Sequence, residues 1–420
     1  CKSPNTNDSN DSVWDKRLLP YLLNSERKLN EKLIIFPADT VPTATRPLSG
    51  FDVNTEDRSG IFPHPKYQFK TIATPSKSLP KILTTTGAIT VPNYSQSKAG
   101  RKSKIHHVIG AVVVEIVDDK KFHIRQISAD SDGSFYDIAG GDVKKYSSDG
   151  VSGGHEIESL VLGDLHYPYI DTNAVNASMN QIRALKPSNL FLHDVLDCWS
   201  VNHHSRKNRF LNTAKEANGL MNIEEEVNGA VDLIGSLTSV GKDYNVHVIP
   251  SNHDEALDRW LNDESADCLG VNAPYWHYLS WKKHLSAKKI STGFQFADAF
   301  QFSAQEKMSE KWSDIEGRVN FIPRDVPLMI KGVDFSNHGD VGSGGARGSA
   351  LGFSKVGVKT VIGHSHSPQV IDGCYQVGVN SLIPLGYAKG SSAWLHTNCI
   401  QYSNGKRALI NIIDGEYYLK

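Results

Sequence analysis

No apolar run in this 420-residue chain reaches the roughly 18 residues that a membrane-spanning helix needs. The opening stretch CKSPNTNDSNDS also lacks the apolar segment of a secretory signal. A soluble protein with no membrane partner is therefore expected. Cysteine is scarce: Cys1, Cys198, Cys268, Cys374 and Cys399 are odd in number and show no C-x-x-C spacing. That argues against both a disulfide framework and a thiolate zinc cluster, and favours a reducing, cytoplasmic setting. Charge of either sign is not in excess, because 45 basic residues face 46 acidic ones. Attraction to nucleic acid must then come from local patches rather than from a global field. Internal repeats and long low-complexity tracts are missing as well. The numbered chain opens on Cys1 rather than Met, as expected of a processed form or of part of a longer polypeptide.

What is present is a change of texture along the chain. A single hydrophobic core rarely serves this length, so two domains are expected, with one large domain carrying insertions as the rival arrangement. Residues 1–32 read as a polar tail followed by short helices, broken at Pro20. Residues 33–150 hold β-branched runs such as KLIIFPADTV, KILTTTGAITV and HHVIGAVVVEIV, which predict a smaller, mainly β accessory domain. The Ser/Gly-rich stretch YSSDGVSGGHE, 146–156, looks like its boundary. From 156 to 420, short apolar runs alternate with helical segments, the pattern of an α/β unit with a largely parallel sheet. Residues 255–330 lack that rhythm and predict an inserted helical cap.

Polar residues of one chemical kind gather after one strand-like run after another. LVLGDLH ends in Asp164 and His166, LFLHDVLD in Asp194 and Asp197, and VHVIPSNHD in Asn252, His253 and Asp254. VDFSNHGD then supplies His338, and VIGHSHSP supplies His364 and His366. In an open α/β sheet the carboxyl ends of the strands form the edge where ligands bind, so residues distant in sequence converge there. Taken singly, D-x-H is an ordinary turn and SNHD an ordinary cap. In this order they form a set of carboxylate, imidazole and amide donors without thiolate. That set suits manganese, iron or zinc rather than calcium. The number of ligands favours two ions, since a carboxylate can bridge metals about 3.5 to 4 Å apart.

The ordered segments GDLH, HDVLD, SNHD, NHGD and GHSHSP resemble the calcineurin-like metallophosphoesterase superfamily, over residues 163–368 or about half of the chain. The resemblance implies a β-sandwich flanked by helices and a binuclear metal centre. Carried over by position, Asp164, His166 and His366 would hold one ion, and Asn252, His338 and His364 the other, with Asp194 bridging. The ions implied are two divalent metals, manganese first, with iron, zinc or magnesium as alternatives. A metal-bound hydroxide would attack phosphorus, His253 would protonate the leaving oxygen, and Asp197 would orient His253. Two positions depart from the pattern: His193 and Ser251 stand where the superfamily has glycine. His193 reads as a buried structural histidine, with a substrate contact as the alternative.

The metal centre does not choose the phosphoester. Arg206, Lys207 and Arg209 beside Phe210 could hold a phosphate backbone and stack a base. Lys102 lies in a basic Gly/Ser loop, 95–107. Arg347, in DVGSGGARGSA, could face a phosphate, although that stretch reads more simply as a turn into the next helix. The C-terminal half is also similar to phage-encoded metallophosphoesterases, the DNA nucleases of T5-like phages in particular. That likeness implies DNA as the partner, degradation of host DNA as the role and the host cytoplasm as the location. The expectation is therefore a DNA nuclease, with homo-oligomerisation the general prior for soluble proteins. Its rivals are a phosphatase or small-molecule phosphodiesterase, and a nucleic-acid-binding assembly protein whose metal is structural. The last would need neither His253 nor Asp197.

Overall fold

A computed structural model describes residues 19–21, 23, 25–37, 40–75, 78–202, 205, 208–263, 270–288, 298–385 and 389–418. The short apolar runs SLV, NLFL and NVHV become strands Ile157–Val161, Asn189–Leu192 and Asn245–Val248. They pair in parallel, Ser159 beside Asn189 and Asn189 beside Asn245. Helices Thr172–Leu185 and Ile223–Thr238 make the crossovers. Each begins at a residue suited to capping. Asp171 accepts from the amides of Asn173 and Ala174, and Asn222 from those of Glu224 and Glu225. Loss of such a cap typically costs about 1 kcal/mol.

These strands lack polar alternation because both faces are covered. Leu160, Leu190, Leu192 and Val246 pack with Val175, Ile182, Val227 and Ile234 of the helices. Val161 and Phe191 point the other way, into a second core with Phe335, Val361, Val370 and Tyr375. That second core lies between two sheets. One is six-stranded, completed by Val319–Phe321 at one edge and by Thr397–Tyr402 and Arg407–Asn411 at the other. The other is ten-stranded. The protein is thus a mixed α/β structure with helices on one sheet and a second sheet against its other face.

The ten-stranded sheet draws on both ends of the chain. Arg27–Asn30, Leu33–Ile35, Ser59–Phe62, Lys81–Thr85 and Gln68–Ile72 supply one half, and Gln369–Ile371, Cys374–Gln376, Lys359–Ile362, Val333–Asp334 and Met329–Ile330 the other. The halves join where Phe69 pairs with Val370, antiparallel. Strands from the stretch expected as an accessory domain are therefore hydrogen-bonded into a sheet shared with the chain's C-terminal part. Residues 110–155 form a hairpin and a three-stranded sheet besides. The Ser/Gly-rich 146–156 is not a plain loop: Gly150–His155 pairs with Asp142–Ser147 around a tight turn at Ser148 and Asp149.

One further segment differs from expectation. Residues 95–107 contain a helix, Lys98–His106, in place of the expected Gly/Ser loop. The Ser97 hydroxyl caps it by accepting from the Gly100 amide, and its charged composition left no apolar period to read. Residues 255–330 do hold helices Ala256–Asn262, Ala273–Lys288 and Ala299–Lys311. Their Leu257, Trp260, Tyr275, Leu279, Phe300 and Met308 pack into the helix-side core, and Val319–Phe321 is a strand of the sheet. Among the described residues, no helix is long and apolar enough to cross a membrane.

Candidate metal centre

Each polar cluster singled out in the sequence follows the carboxyl end of a strand. Asp164 and His166 follow Ile157–Val161; His193, Asp194 and Asp197 follow Asn189–Leu192; Asn252 and His253 follow Asn245–Val248. His338 follows Val333–Asp334, and His364 and His366 follow Lys359–Ile362, a parallel pair in the second sheet. The backbone there is bent hard. His166, Asp194, His364 and His366 have φ values of 55°, 45°, 76° and 60°, a region that non-glycine residues occupy at a cost of about 1 kcal/mol or more. Gly363 is required for space rather than for turning freedom. A Cβ there would lie 2.3 Å from Asp164 Oδ1, and the next amide, His364 N–H, donates to Asp164 Oδ2 at 2.7 Å.

The bends aim donor atoms at two neighbouring points. At the first, His166 Nε2 lies 2.9 Å from His366 Nε2 and 3.5 Å from Asp194 Oδ2, and His366 Nε2 lies 3.3 Å from Asp164 Oδ2. All four side chains are buried, and one ligand atom from each falls within 4.8 Å of the others. At the second, Asp194 Oδ2 is 3.1 Å from His338 Nε2, Asn252 Oδ1 is 3.0 Å from His364 Nδ1, and the His338 and His364 rings are 5.3 Å apart. Asp194 is common to both.

These residues fit divalent metal ions. Asp164 Oδ1 is buried without a hydrogen-bond partner, while Asp194 Oδ2 and His338 Nε2, also buried, have only each other at 3.1 Å. Leaving such an atom bare costs about 1 to 3 kcal/mol, which a cation among them would offset. The donors are carboxylate, imidazole and amide, the borderline set that manganese, iron and zinc accept.

A second set of contacts fixes this one. Asp197 Oδ1 lies 2.9 Å from His166 Nδ1 and 3.1 Å from His253 Nδ1. With the Nδ1 proton of His166 given to the carboxylate, its Nε2 lone pair is left for the cluster. Burial opposes a charged His253, but the Asp194 charge and the hydrogen bond and charge of Asp197 together raise its pKa to about 10. Burial likewise opposes ionisation of Asp194, yet His338, His253 and His166 hold its carboxyl well below the usual range. His193 is 1 % exposed, and its Nδ1 sits 3.3 Å from His338 Nδ1. Burial and the His338 charge push its pKa down to about 4, and with Asp164 and His338 it forms a further group whose ligand atoms lie within 4.8 Å of one another. Ser251, also buried, closes a turn with Asp254, whose carboxylate accepts from the Ser251 hydroxyl and from the Leu196 amide.

A cleft of about 620 Å³ opens over the cluster, bordered by His253, Arg347, His364, His366, Gln369 and Trp394. Of the basic residues picked from the sequence, Arg347 is there, exposed, in a turn that leads into the short helix Ala350–Phe353. Arg209 stands exposed on the first turn of helix Arg209–Ala217 and does not border the cleft. Lys102 is on helix Lys98–His106, also outside it. Arg206 and Lys207 lie outside the described residues. Another cavity, of about 600 Å³, lies at the opposite strand ends beside Lys66, Lys359, Asp372 and Arg407 and includes none of the cluster. Sequence reasoning missed Trp394, whose ring centroid is 4.4 Å from that of His366. It also missed the second imidazole on Asp197. The only signal for Asp197 was its spacing three residues beyond Asp194.

No family model matches the chain, and no solved structure matches it. It is similar to Protein A1 of Escherichia phage T5, with 30% identity over an alignment of 426 positions that covers 97% of this chain and 73% of the phage protein.

Proposed function

The chain belongs to the family of Protein A1 of Escherichia phage T5, and from that premise we propose that it is a metal-dependent phosphodiesterase that hydrolyses DNA, built as a calcineurin-like metallophosphoesterase. The observation that carries the proposal is one buried carboxylate, Asp194, common to two donor groups, with a partly exposed imidazole, His253, next to them at the cleft. Asp164, His166, Asp194 and His366 would hold one ion, and Asp194, Asn252, His338 and His364 the other, with manganese, iron or zinc suiting the mixture. Such ions supply an activated water and positive charge against the phosphate. The packed pair of sheets with helices on one face supports the superfamily's sandwich architecture.

The chain's own groups do the rest. His253, held through Nδ1 by the Asp197 carboxylate, donates a proton to the leaving oxygen of the phosphodiester. Asp197 holds that imidazole by its Nδ1, leaving Nε2–H for the substrate. Arg347 faces the same cleft and pairs with a phosphate oxygen. A purely structural metal would leave both the proton donor and the open cleft without a role. DNA as substrate, with host DNA degradation as the biological purpose, rests on the resemblance of the C-terminal half to the DNA nucleases of T5-like phages.

Supercoiled plasmid incubated with the protein and manganese, beside a His253→Ala variant, tests this reading. Wild type should nick the plasmid. The variant should keep its metal, by elemental analysis, and lose turnover by on the order of 100-fold or more. Rapid turnover of a phosphopeptide or nucleotide with the plasmid left intact would replace the nuclease by a phosphatase.

A further inference from the structure

The cleft has an aromatic wall that phosphate chemistry alone does not need. Trp394 meets the His366 imidazole edge-to-face, with ring centroids 4.4 Å apart. It is only partly buried, and it separates the cleft over the cluster from a neighbouring cavity of about 420 Å³ beside Pro384, Ser392 and His396. Arg347 lies across the same cleft, exposed and with no acidic partner among the described residues. Gln369 adds an amide to the wall. An indole beside the reacting phosphorus, with a free cation opposite, is the combination that takes unpaired nucleotides: the cation tracks the backbone while a base lies on the ring.

On the reading that the cluster hydrolyses DNA, we propose that Trp394 is the stacking platform for an unpaired base next to the scissile phosphate, so that the cleft takes single-stranded DNA in preference to intact duplex. A base in a duplex has both of its faces covered by neighbouring base pairs and can reach the indole only after unstacking, which costs a few kcal/mol. A base already unpaired makes that contact without the cost. Because every base has a π-face, the platform selects strandedness and not sequence. The position of Trp394 against His366 places the base beside the metal ligands, so the stacked nucleoside fixes which phosphate is cleaved.

Three fluorescein-labelled substrates of one length separate the effects: a single-stranded oligonucleotide, its duplex, and a strand built of tetrahydrofuran abasic units. Binding is followed by anisotropy and cleavage under manganese by gel. Wild type should bind and cleave the single strand roughly 5- to 100-fold better than the abasic strand, the range expected of one stacked base, and better than the duplex. Trp394→Ala should remove the advantage over the abasic strand, read as the ratio of the two substrates within each protein so that any change in metal content or basal rate cancels. Trp394→Phe should keep most of that advantage. Equal losses on single-stranded and abasic substrates, with Phe no better than Ala, would overturn the platform, as would a wild-type preference for duplex. Absence of cleavage by wild type would instead sink the hydrolase reading, and the anisotropy comparison would still decide whether Trp394 recognises bases.

Discussion

Asp197→Asn is the substitution that asks most of the proposed centre, because one oxygen of Asp197 serves two imidazoles with different roles. The side chain is fully buried, with Oδ1 at 2.9 Å from His166 Nδ1 and 3.1 Å from His253 Nδ1 and Oδ2 without a partner. Asparagine has the same shape and still offers an acceptor, so the change is mainly the loss of a charge. Hydrogen bonds to a charged acceptor are about twice as strong as neutral ones. His166 should therefore become a poorer ligand, and metal affinity should fall by about 10- to 100-fold, as for other outer partners of ligating histidines. The same loss removes one of the charges that hold His253 protonated. Its pKa falls, so the alkaline limb of the rate profile should move to lower pH, while the acid itself is retained and turnover at neutral pH should drop by less than the order of 100-fold lost in His253→Ala. Manganese titration by calorimetry, with pH–rate profiles on single-stranded DNA, measures both. His253→Ala is the control, since it should lose turnover and keep affinity. If Asp197→Asn bound manganese as wild type does and kept its alkaline limb, the shared-carboxylate reasoning would be wrong.

Asp194→Asn should be more severe for metal. At an effective dielectric of about 20, a unit charge about 4 Å from a dication is worth about 8 kcal/mol before desolvation is subtracted. A net loss on the order of 100-fold or more in affinity at both positions is expected, and unchanged manganese content by elemental analysis would refute the bridging role. A pH effect on stability is expected from Glu226, away from the cleft. Its carboxyl accepts from the Trp199 and Ser200 amides and the Ser200 hydroxyl, yet burial pushes its pKa up to about 7. The folded state then binds the proton more tightly than the unfolded chain. The contribution is complete below the unfolded value near 4.5 and is lost as pH rises through about 7, on the order of 1 to 3 kcal/mol. Urea midpoints should fall between pH 4.5 and 7 and flatten in Glu226→Gln. The same slope in both proteins would show that another group is responsible.

Much of the candidate site was legible because two signals coincide. Apolar runs such as SLVL and NLFL can be buried on both faces only as inner strands, and each is followed within a few residues by Asp, His or Asn, directly after NLFL, behind Gly163 after SLVL and behind Pro250 and Ser251 after NVHVI. Strand ends of a parallel sheet share one edge, so Asp164, Asp194 and Asn252 had to be neighbours. That His338 and His364 join them from a second sheet does not follow from the runs themselves, and rested on the motif order. Other features had no local signal. Phe69 pairs with Val370, a contact between strands that look alike to periodicity. Helix Lys98–His106 is held by a Ser97 cap and one buried glycine, Gly100, without an apolar stripe. Trp394 lies in a segment with neither strand rhythm nor metal-ligand chemistry, and only the folded chain shows that it stands over His366. From the sequence Arg209 was the better candidate, since the stretch holding Arg347 reads more simply as a turn into the next helix. Only Arg347 borders the cleft, because the turn that carries it follows directly from the loop of His338.

The histidines of VIGHSHSP show how the site is bound up with the fold. His364 and His366 alternate along the chain, and their two positive φ values turn their rings to different donor groups, one beside Asn252 and the other beside His166. His166 and Asp194 are strained in the same sense. Four such residues, at about 1 kcal/mol or more each, together with the buried, partnerless Asp164 Oδ1, amount to several kcal/mol of unfavourable local energy at this edge. The rest of the fold offsets it: the strands that deliver these residues are anchored in cores on both faces, and Gly363 lets the His364 segment close onto Asp164. Positive φ also occurs at exposed turns, at Glu56, Asp325, Lys331 and Asp414, but at the cluster it falls on four donor residues that follow buried strands. It persists where surrounding packing overdetermines the backbone, and it is useful where a ligand draws on it. Here the strained residues and the bare atom belong to the set that would touch the ions. Metal binding and backbone geometry are therefore one thermodynamic system, and a substitution that relaxes any of the four bends acts on affinity even when it leaves every donor atom in the sequence.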